Sequence, residues 1–427
     1  MDFTDENDGR GTSRPPVPRP VRILALALSS TGDKTVEMKF AVLVLFGALA
    51  LSAADPAPAR LPTPATGMDP ARLTRIPKRM QEFVDAHTAA GIVTLVARHG
   101  KVAALDAVGF QELETKTPMK PDTIFRIASL TKPITCAGIM MLVDEGRVSL
   151  LESVSRYIPE FSALPHVTVL DLMAHTSGLP GSFPSGAAPV TLVEQAATAA
   201  KLALLFEPGK GWNYSNVGYA TLGRIIEVAS KKPYDEFLSE KLFTPLGMKD
   251  TTFFPADDRK SRIAAVYTED HGALKRATQA EADNPNHVPA PQGGLFSTAA
   301  DLFRFNQMIL NKGILAGHRV LSAAAVETMG TSMTDDLPRV NGEPPRIGFA
   351  PGVGHGLGYE VVRDARGTYR YNSVGSLVKG GAYRTYEFID PAKDLVGIIL
   401  LQRTNGGGDV ADEINVFLAM AAAAIEK

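Results

Sequence analysis

Ser129 and Lys132 stand three positions apart in FRIASLTKPITCAGIMMLVDEG (125–146), at the head of a long apolar run. On a helix that spacing puts both side chains on one face, whereas on a strand it sends them to opposite faces. A serine hydroxyl is a poor nucleophile until a neighbouring group removes its proton. Lysine, with an ordinary pKa of about 10.4, is protonated at neutral pH. To serve as a base near pH 7 it must be moved by more than three pH units, on the order of 4–5 kcal/mol, by desolvation or by a second cation. An apolar helix offers the first and another site lysine the second. The competing reading is that Ser129 caps a buried helix while Lys132 reaches along it to water. The four letters do not separate the two, and a second copy, SLVK at 376–379, shows how little they prove alone. That copy leads into Gly380, Gly381 and a β-like run, where its serine and lysine are expected to diverge. The first copy opens a helix, so Ser129 is expected at its positive end, where free backbone N–H groups stabilise an oxyanion.

Two further stretches hold chemistry. In WNYSNVGY, Tyr214 and Asn216 are two apart; in an extended loop both reach one cleft, the tyrosine relaying protons and the asparagine binding a carbonyl or amide. In KGGAY, Lys379 precedes two glycines, which in a strand mark either a bulge or a close approach of ligand to backbone. His175 in HTSGL reads as a histidine that braces a loop rather than as a base. The eight histidines include no H-E-x-x-H and no close pair with metal-ligand spacing, so no metal and no cofactor is expected. A G-x-S-x-G elbow is absent, which argues against an α/β-hydrolase site.

Taken in order, Ser129-x-x-Lys132, Tyr214-x-Asn216 and Lys379-x-Gly381 resemble the serine β-lactamase and penicillin-binding family, specifically class C β-lactamases, D,D-peptidases and family VIII carboxylesterases. HTSGL (175–179), PGKGWNYSN and GGLFSTAADLFRFNQMILNKG extend the resemblance from about residue 75 to the C-terminus. It implies that Ser129 is acylated, that Lys132 and Tyr214 share the proton transfers, and that the N–H groups of Ser129 and Ala382 form the oxyanion hole. It further implies that Asn216, Lys379, Gly380 and Gly381 bind substrate, and that no cofactor takes part. One departure matters. β-Lactamases and peptidases of the family typically carry Lys-Thr-Gly or Lys-Ser-Gly where this chain has Lys379-Gly380-Gly381, so the cation is kept and the hydroxyl that helps hold a substrate carboxylate is missing. A serine hydrolase acting on small to medium acyl esters is therefore expected. A β-lactamase or D,D-carboxypeptidase stays open, as does a non-catalytic peptidoglycan- or partner-binding relative, against which the complete Ser, Lys and Tyr set speaks.

The elements that must position these residues read as an α+β fold, an antiparallel sheet flanked by helices plus a mostly helical lobe. IVTLVARHGKVAALDAVGF predicts an early hairpin around HGK. PARLTRIPKRMQEFVDAHTAAG predicts a first helix closing on Gly91, and STAADLFRFNQMILNKG one capped by Ser297 or Thr298. HGLGYEVV, GGAYRTYEFID and DLVGIILLQR predict strands, followed by a terminal helix. Loops such as 180–200 and 330–355 are expected to set acyl and alcohol preference.

With 44 basic and 46 acidic residues and a formal net charge of −2, the chain carries no footprint for nucleic acid or an anionic membrane. A small-molecule ester, β-lactam or peptide substrate is the partner expected, and oligomeric state is left open. The single cysteine, Cys136, excludes an internal disulfide framework. Residues 1–37 read as disordered or as a mis-assigned start. Residues 38–54 read as a secretory signal, with Lys39 ahead of an apolar stretch (40–51) shorter than the roughly 20 residues that span a bilayer. Residues 55–74 read as a Pro/Ala-rich linker and 75–427 as the hydrolase domain. The protein is thus expected to be periplasmic or secreted if translation starts at Met38, and cytoplasmic otherwise, with no stable membrane span.

Overall fold

The computed structural model describes residues 65–184, 191–277, 288–335, 337, 352–364, 371–404 and 412–426. The expected leader (1–37), signal (38–54) and the first part of the linker (55–64) lie outside the described residues, as do 185–190, 336 and 338–351 of the two expected specificity loops. The rest of the expected linker, 65–74, is part of the fold. Met68 is fully buried and bridges Ile425, and the N–H of Asp69 bonds to the carbonyl of Ala424 at 2.8 Å. Composition could not show this, because the surface that covers Met68 comes from the far end of the chain.

Helix α1 (Arg75–Asp85) buries Ile76, Met80, Phe83 and Val84, as their spacing predicts. It stops short of Gly91. His87, at φ 56°, turns the chain, and Gly91 instead opens strand β1 (Gly91–Arg98). A Cβ on Gly91 would lie 2.5 Å from the carbonyl oxygen of Phe110, so the glycine serves the close approach of the next strand rather than a helix end. The predicted hairpin forms between β1 and β2 (Lys101–Glu112). Its turn, His99 and Gly100, has φ of 54° and 70°, the twist that suits a two-residue hairpin loop.

The sheet continues with β3 (Thr117–Pro118), β4 (Val353–His355), β5 (Glu360–Val362), β6 (Leu377–Gly380), β7 (Tyr386–Asp390) and β8 (Leu395–Leu400). Its eight strands run in the order β4-β5-β6-β7-β8-β1-β2-β3, with antiparallel neighbours throughout. HGLGYEVV is thus two strands around a bend closed by the Gly356 N–H on the Tyr359 carbonyl. GGAYRTYEFID starts on the last residue of β6, Gly380, turns over 381–385, and is strand again from Tyr386.

Both faces of the sheet are covered, which is why β1 and β8 are buried at every position. On one face Val96, Leu395, Ile399 and Phe388 pack with α1 and with Phe417 and Leu418 of the terminal helix α6 (Asp412–Ala423). On the other, Leu95, Val396 and Ile398 share a core with α2 (Thr131–Asp144) and α5 (Ala299–Leu310). The same core extends into a helical lobe that includes α3 (Val169–Ala174) and α4 (Asn216–Ser230). Thr298 caps α5 by accepting from the Asp301 N–H. The expected α+β fold, with a helical lobe beside a helix-flanked antiparallel sheet, is the fold observed. Among the described residues no helix is long and apolar enough to cross a membrane.

The terminal helix also pins the turn between β6 and β7. Glu413 takes both oxygens to Arg384 Nη1, at 3.1 and 3.2 Å, with both side chains under a tenth exposed. Removing one member of a buried pair leaves an uncompensated charge, typically at 3–5 kcal/mol. Glu413→Ala is therefore expected to lower unfolding free energy by about 3 kcal/mol or more; a urea melt matching wild type would show that Arg384 does not depend on this partner.

Candidate active site

Ser129 sits in a 3-10 turn (Ala128–Leu130) between the short strand Phe125–Arg126 and α2. The α-helix proper starts two residues later than the sequence predicts, and no side chain caps it. Ser129 is therefore not a cap. Because a 3-10 turn also brings positions i and i+3 together, the hydroxyl still meets Lys132, whose Nζ donates to Ser129 Oγ at 3.2 Å. Ala128, at φ 47°, holds a left-handed backbone conformation that a residue with a Cβ adopts at some cost.

Tyr214 ends a loop at the head of α4, and Asn216 is the first residue of that helix rather than part of an extended loop. Ser215, between them, caps α4 by accepting from the Gly218 N–H and donates to the Pro180 carbonyl. The junction turns both neighbours toward Ser129. Tyr214 Oη lies 2.9 Å from Ser129 Oγ, and Asn216 Oδ1 accepts from Lys132 Nζ at 2.8 Å.

Lys132 has no exposed surface, and its third partner is the carbonyl oxygen of Gln292 at 2.7 Å. The carbonyl and the amide oxygen can only accept, so they fix two N–H bonds; in the neutral amine the lone pair is then left to face Ser129. Burial lowers the lysine pKa to about 8, with Tyr214 opposing and the Lys379 ammonium assisting. Tyr214 shows the converse balance. Burial pushes its phenol up, but the charges of Lys132 and Lys379 and hydrogen bonds with Lys132 and Ser129 outweigh it, and the net shift is downward.

Lys379 lies in β6, almost fully buried, with Nζ 5.0 Å from the centre of the Tyr214 ring and 4.0 Å from Glu360 Oε1. Ser376 lies just before β6, which begins at Leu377, so the duplicate motif runs along extended chain and not around a helical turn; on extended chain three-residue spacing sends side chains to opposite faces. Gly380 ends β6, and Gly381 opens the turn rather than a bulge. A Cβ on Gly381 would lie 2.7 Å from the Ile127 carbonyl oxygen, and Thr385 Oγ1 donates to that same oxygen at 3.0 Å. These contacts clamp the turn carrying Ala382 against the residues just before Ser129.

Sequence reasoning missed Gln292, since a main-chain carbonyl has no side-chain signature, although the adjoining GGLFS stretch was part of the resemblance. It also missed the aromatic wall. His175 packs against Tyr214, Tyr219, Trp212 and His355, with ring centres 4.5 to 5.8 Å away. Among the described residues no group of three or more His, Cys, Asp or Glu is placed to hold a metal ion.

The Beta-lactamase family model matches residues 76–421. Esterase EstB of Burkholderia gladioli is 30% identical over 74% of this chain and 86% of its own length. The D-alanyl-D-alanine-carboxypeptidase/endopeptidase AmpH of Escherichia coli is 29% identical over 66% and 72%. In fold, the chain is similar to EstCE1, a hydrolase with promiscuous acyltransferase activity, with TM-score 0.72 and 22% identity over 84% of this chain and 99% of that one.

The lysine also links the site to stability. Its pKa in the fold, about 8, lies below the value near 10.5 of an unfolded lysine. Between those values the unfolded chain binds more protons, so stability rises with pH there, and the burial penalty is fully present below pH 8. The stability of wild type relative to Lys132→Met is expected to rise by about 1–2 kcal/mol from pH 7 to pH 9.5. Paired urea titrations at the two pH values check this, and a constant difference would contradict it.

Proposed function

The chain belongs to the beta-lactamase family of serine hydrolases, and on that ground we propose that it is a carboxylesterase that forms an acyl-enzyme on Ser129. The observation that carries the reading is the convergence of Lys132 Nζ and Tyr214 Oη on Ser129 Oγ. Lys132, poised to be neutral, and Tyr214 accept the serine proton as Oγ attacks the ester carbonyl. The same pair returns a proton to the departing alcohol and later activates the water that releases the acid. The N–H groups of Ser129 and Ala382 hold the oxyanion, an arrangement in which one donor is typically worth about 10²–10³ in rate. Asn216, whose oxygen is taken by Lys132, offers its N–H₂ to the substrate.

Esters without a carboxylate are favoured over β-lactams by the surroundings of Lys379. That lysine is buried between Tyr214 and Glu360, and Gly380 after it has no hydroxyl, so an anionic substrate meets neither group of the usual grip. The resemblance to Esterase EstB supports the same reading. A β-lactamase or D,D-carboxypeptidase draws on the retained cation and on the likeness to AmpH.

Turnover of p-nitrophenyl butyrate is expected to exceed that of nitrocefin by about 10²-fold, with Ser129→Ala inactive on both. Ester kcat/KM is expected to fall as pH drops below about 8, where Lys132 regains its proton. Nitrocefin turnover comparable with ester turnover would overturn the esterase reading.

A further inference from the structure

His175 holds Tyr214 from both sides. It ends α3 in the left-handed conformation, φ 63° and ψ 30°, as the C-cap residue. Its carbonyl oxygen accepts from the N–H of Asn213 at 3.0 Å, and its ring Nδ1 accepts from the N–H of Ser215 at 3.0 Å. The residues just before and just after Tyr214 are thus tied to one residue, the first through its main-chain carbonyl and the second through its ring. The imidazole also lies along the Tyr214 ring, with centres 4.5 Å apart and planes tilted by 30°. Tyr219, packed on the same imidazole at 4.9 Å, donates its hydroxyl to the carbonyl of Met173, and so fastens the end of α3 beneath it.

We propose that His175 is a positioning residue, which sets Tyr214 Oη on Ser129 Oγ through the acceptor lone pair of Nδ1. This inference rests on the acyl-enzyme reading above. A ring that accepts at Nδ1 carries its hydrogen on Nε2, and the lone pair is already engaged by Ser215, so His175 has none left with which to act as a base. Protonation would set an N–H against the Ser215 N–H. Besides the Trp212 ring, the titratable groups facing the imidazole are Lys132 from α2, Tyr214 and Tyr219 from the head and body of α4, His355 from β4 and Lys379 from β6. Burial, helped by His355 and both lysines, keeps the imidazole pKa well below its ordinary value.

The test separates acceptor from ring. His175→Phe keeps an aromatic surface and removes the acceptor; His175→Asn keeps a short acceptor and tolerates the left-handed backbone. The rate of Ser129 labelling by a fluorophosphonate probe, scored per folded molecule, is expected to fall about 10- to 100-fold in H175F, as for a misplaced catalytic group. In H175N it is expected to stay within about threefold of wild type, with the acid limb of the pH–rate profile unmoved, a limb that a catalytic base would carry away with it. H175F labelling at the wild-type rate overturns the inference, as does a loss beyond tenfold in H175N or a shifted acid limb. If H175F yields no folded protein, H175N alone decides between those outcomes. An unlabelled wild type overturns the acyl-enzyme reading and this inference with it, whereas a labelled wild type with an equally fast H175F overturns this inference alone.

Discussion

Burying the Lys132 amine in the first turn of α2 takes away its water without giving it a carboxylate, and most of what surrounds the site follows from that choice. Three partners hold Nζ: a serine hydroxyl, an amide oxygen and a main-chain carbonyl. None of these carries a negative charge that would lock the ammonium in place. A carboxylate at hydrogen-bond distance would stabilise the charged form and raise the pKa. Lys379 pushes the other way, close enough to lower Lys132 and still held by Glu360 at 4.0 Å. A second cation near the first costs stability, and the apolar helix and covered sheet are what make such an arrangement affordable to the fold.

The difference between what could and could not be read from the chain is a difference between side-chain patterns and long-range contacts. The amphipathic spacing of α1, the His99–Gly100 hairpin and the Thr298 cap are local signals, and they appear in the fold nearly as written. Ser129, Lys132, Tyr214, Asn216 and Lys379 were named from type and order, and the structure brings all five together. The start of α2, the status of Asn216 as a helical residue and the packing of 65–74 were not legible, because each depends on what the rest of the chain lays against it. The carbonyl of Gln292 lies further still from sequence, since any residue there presents the same oxygen.

The clamped turn after β6 ties these observations into one mechanical picture. Gly381 approaches the Ile127 carbonyl, Thr385 bonds to it, and Arg384 in the same turn is anchored by Glu413 of α6. The strained Ala128 beside Ser129 is thereby held by a segment whose own support comes from the end of the chain. Strain of this kind persists only where several independent contacts determine the backbone. Here those contacts are drawn from the turn between β6 and β7 and from α6.

In the middle of the sheet β1 pairs with β8, and Met68 bridges Ile425. β1 therefore waits for β8, far later in the chain, and the β1–β2 hairpin keeps an open edge while the intervening chain is synthesised. Contacts of such sequence separation make for slow folding and expose unpaired strand edges on the way. The nucleophile emerges from the ribosome long before the turn that completes its surroundings, so competence for chemistry waits for that turn and for the helix that anchors it.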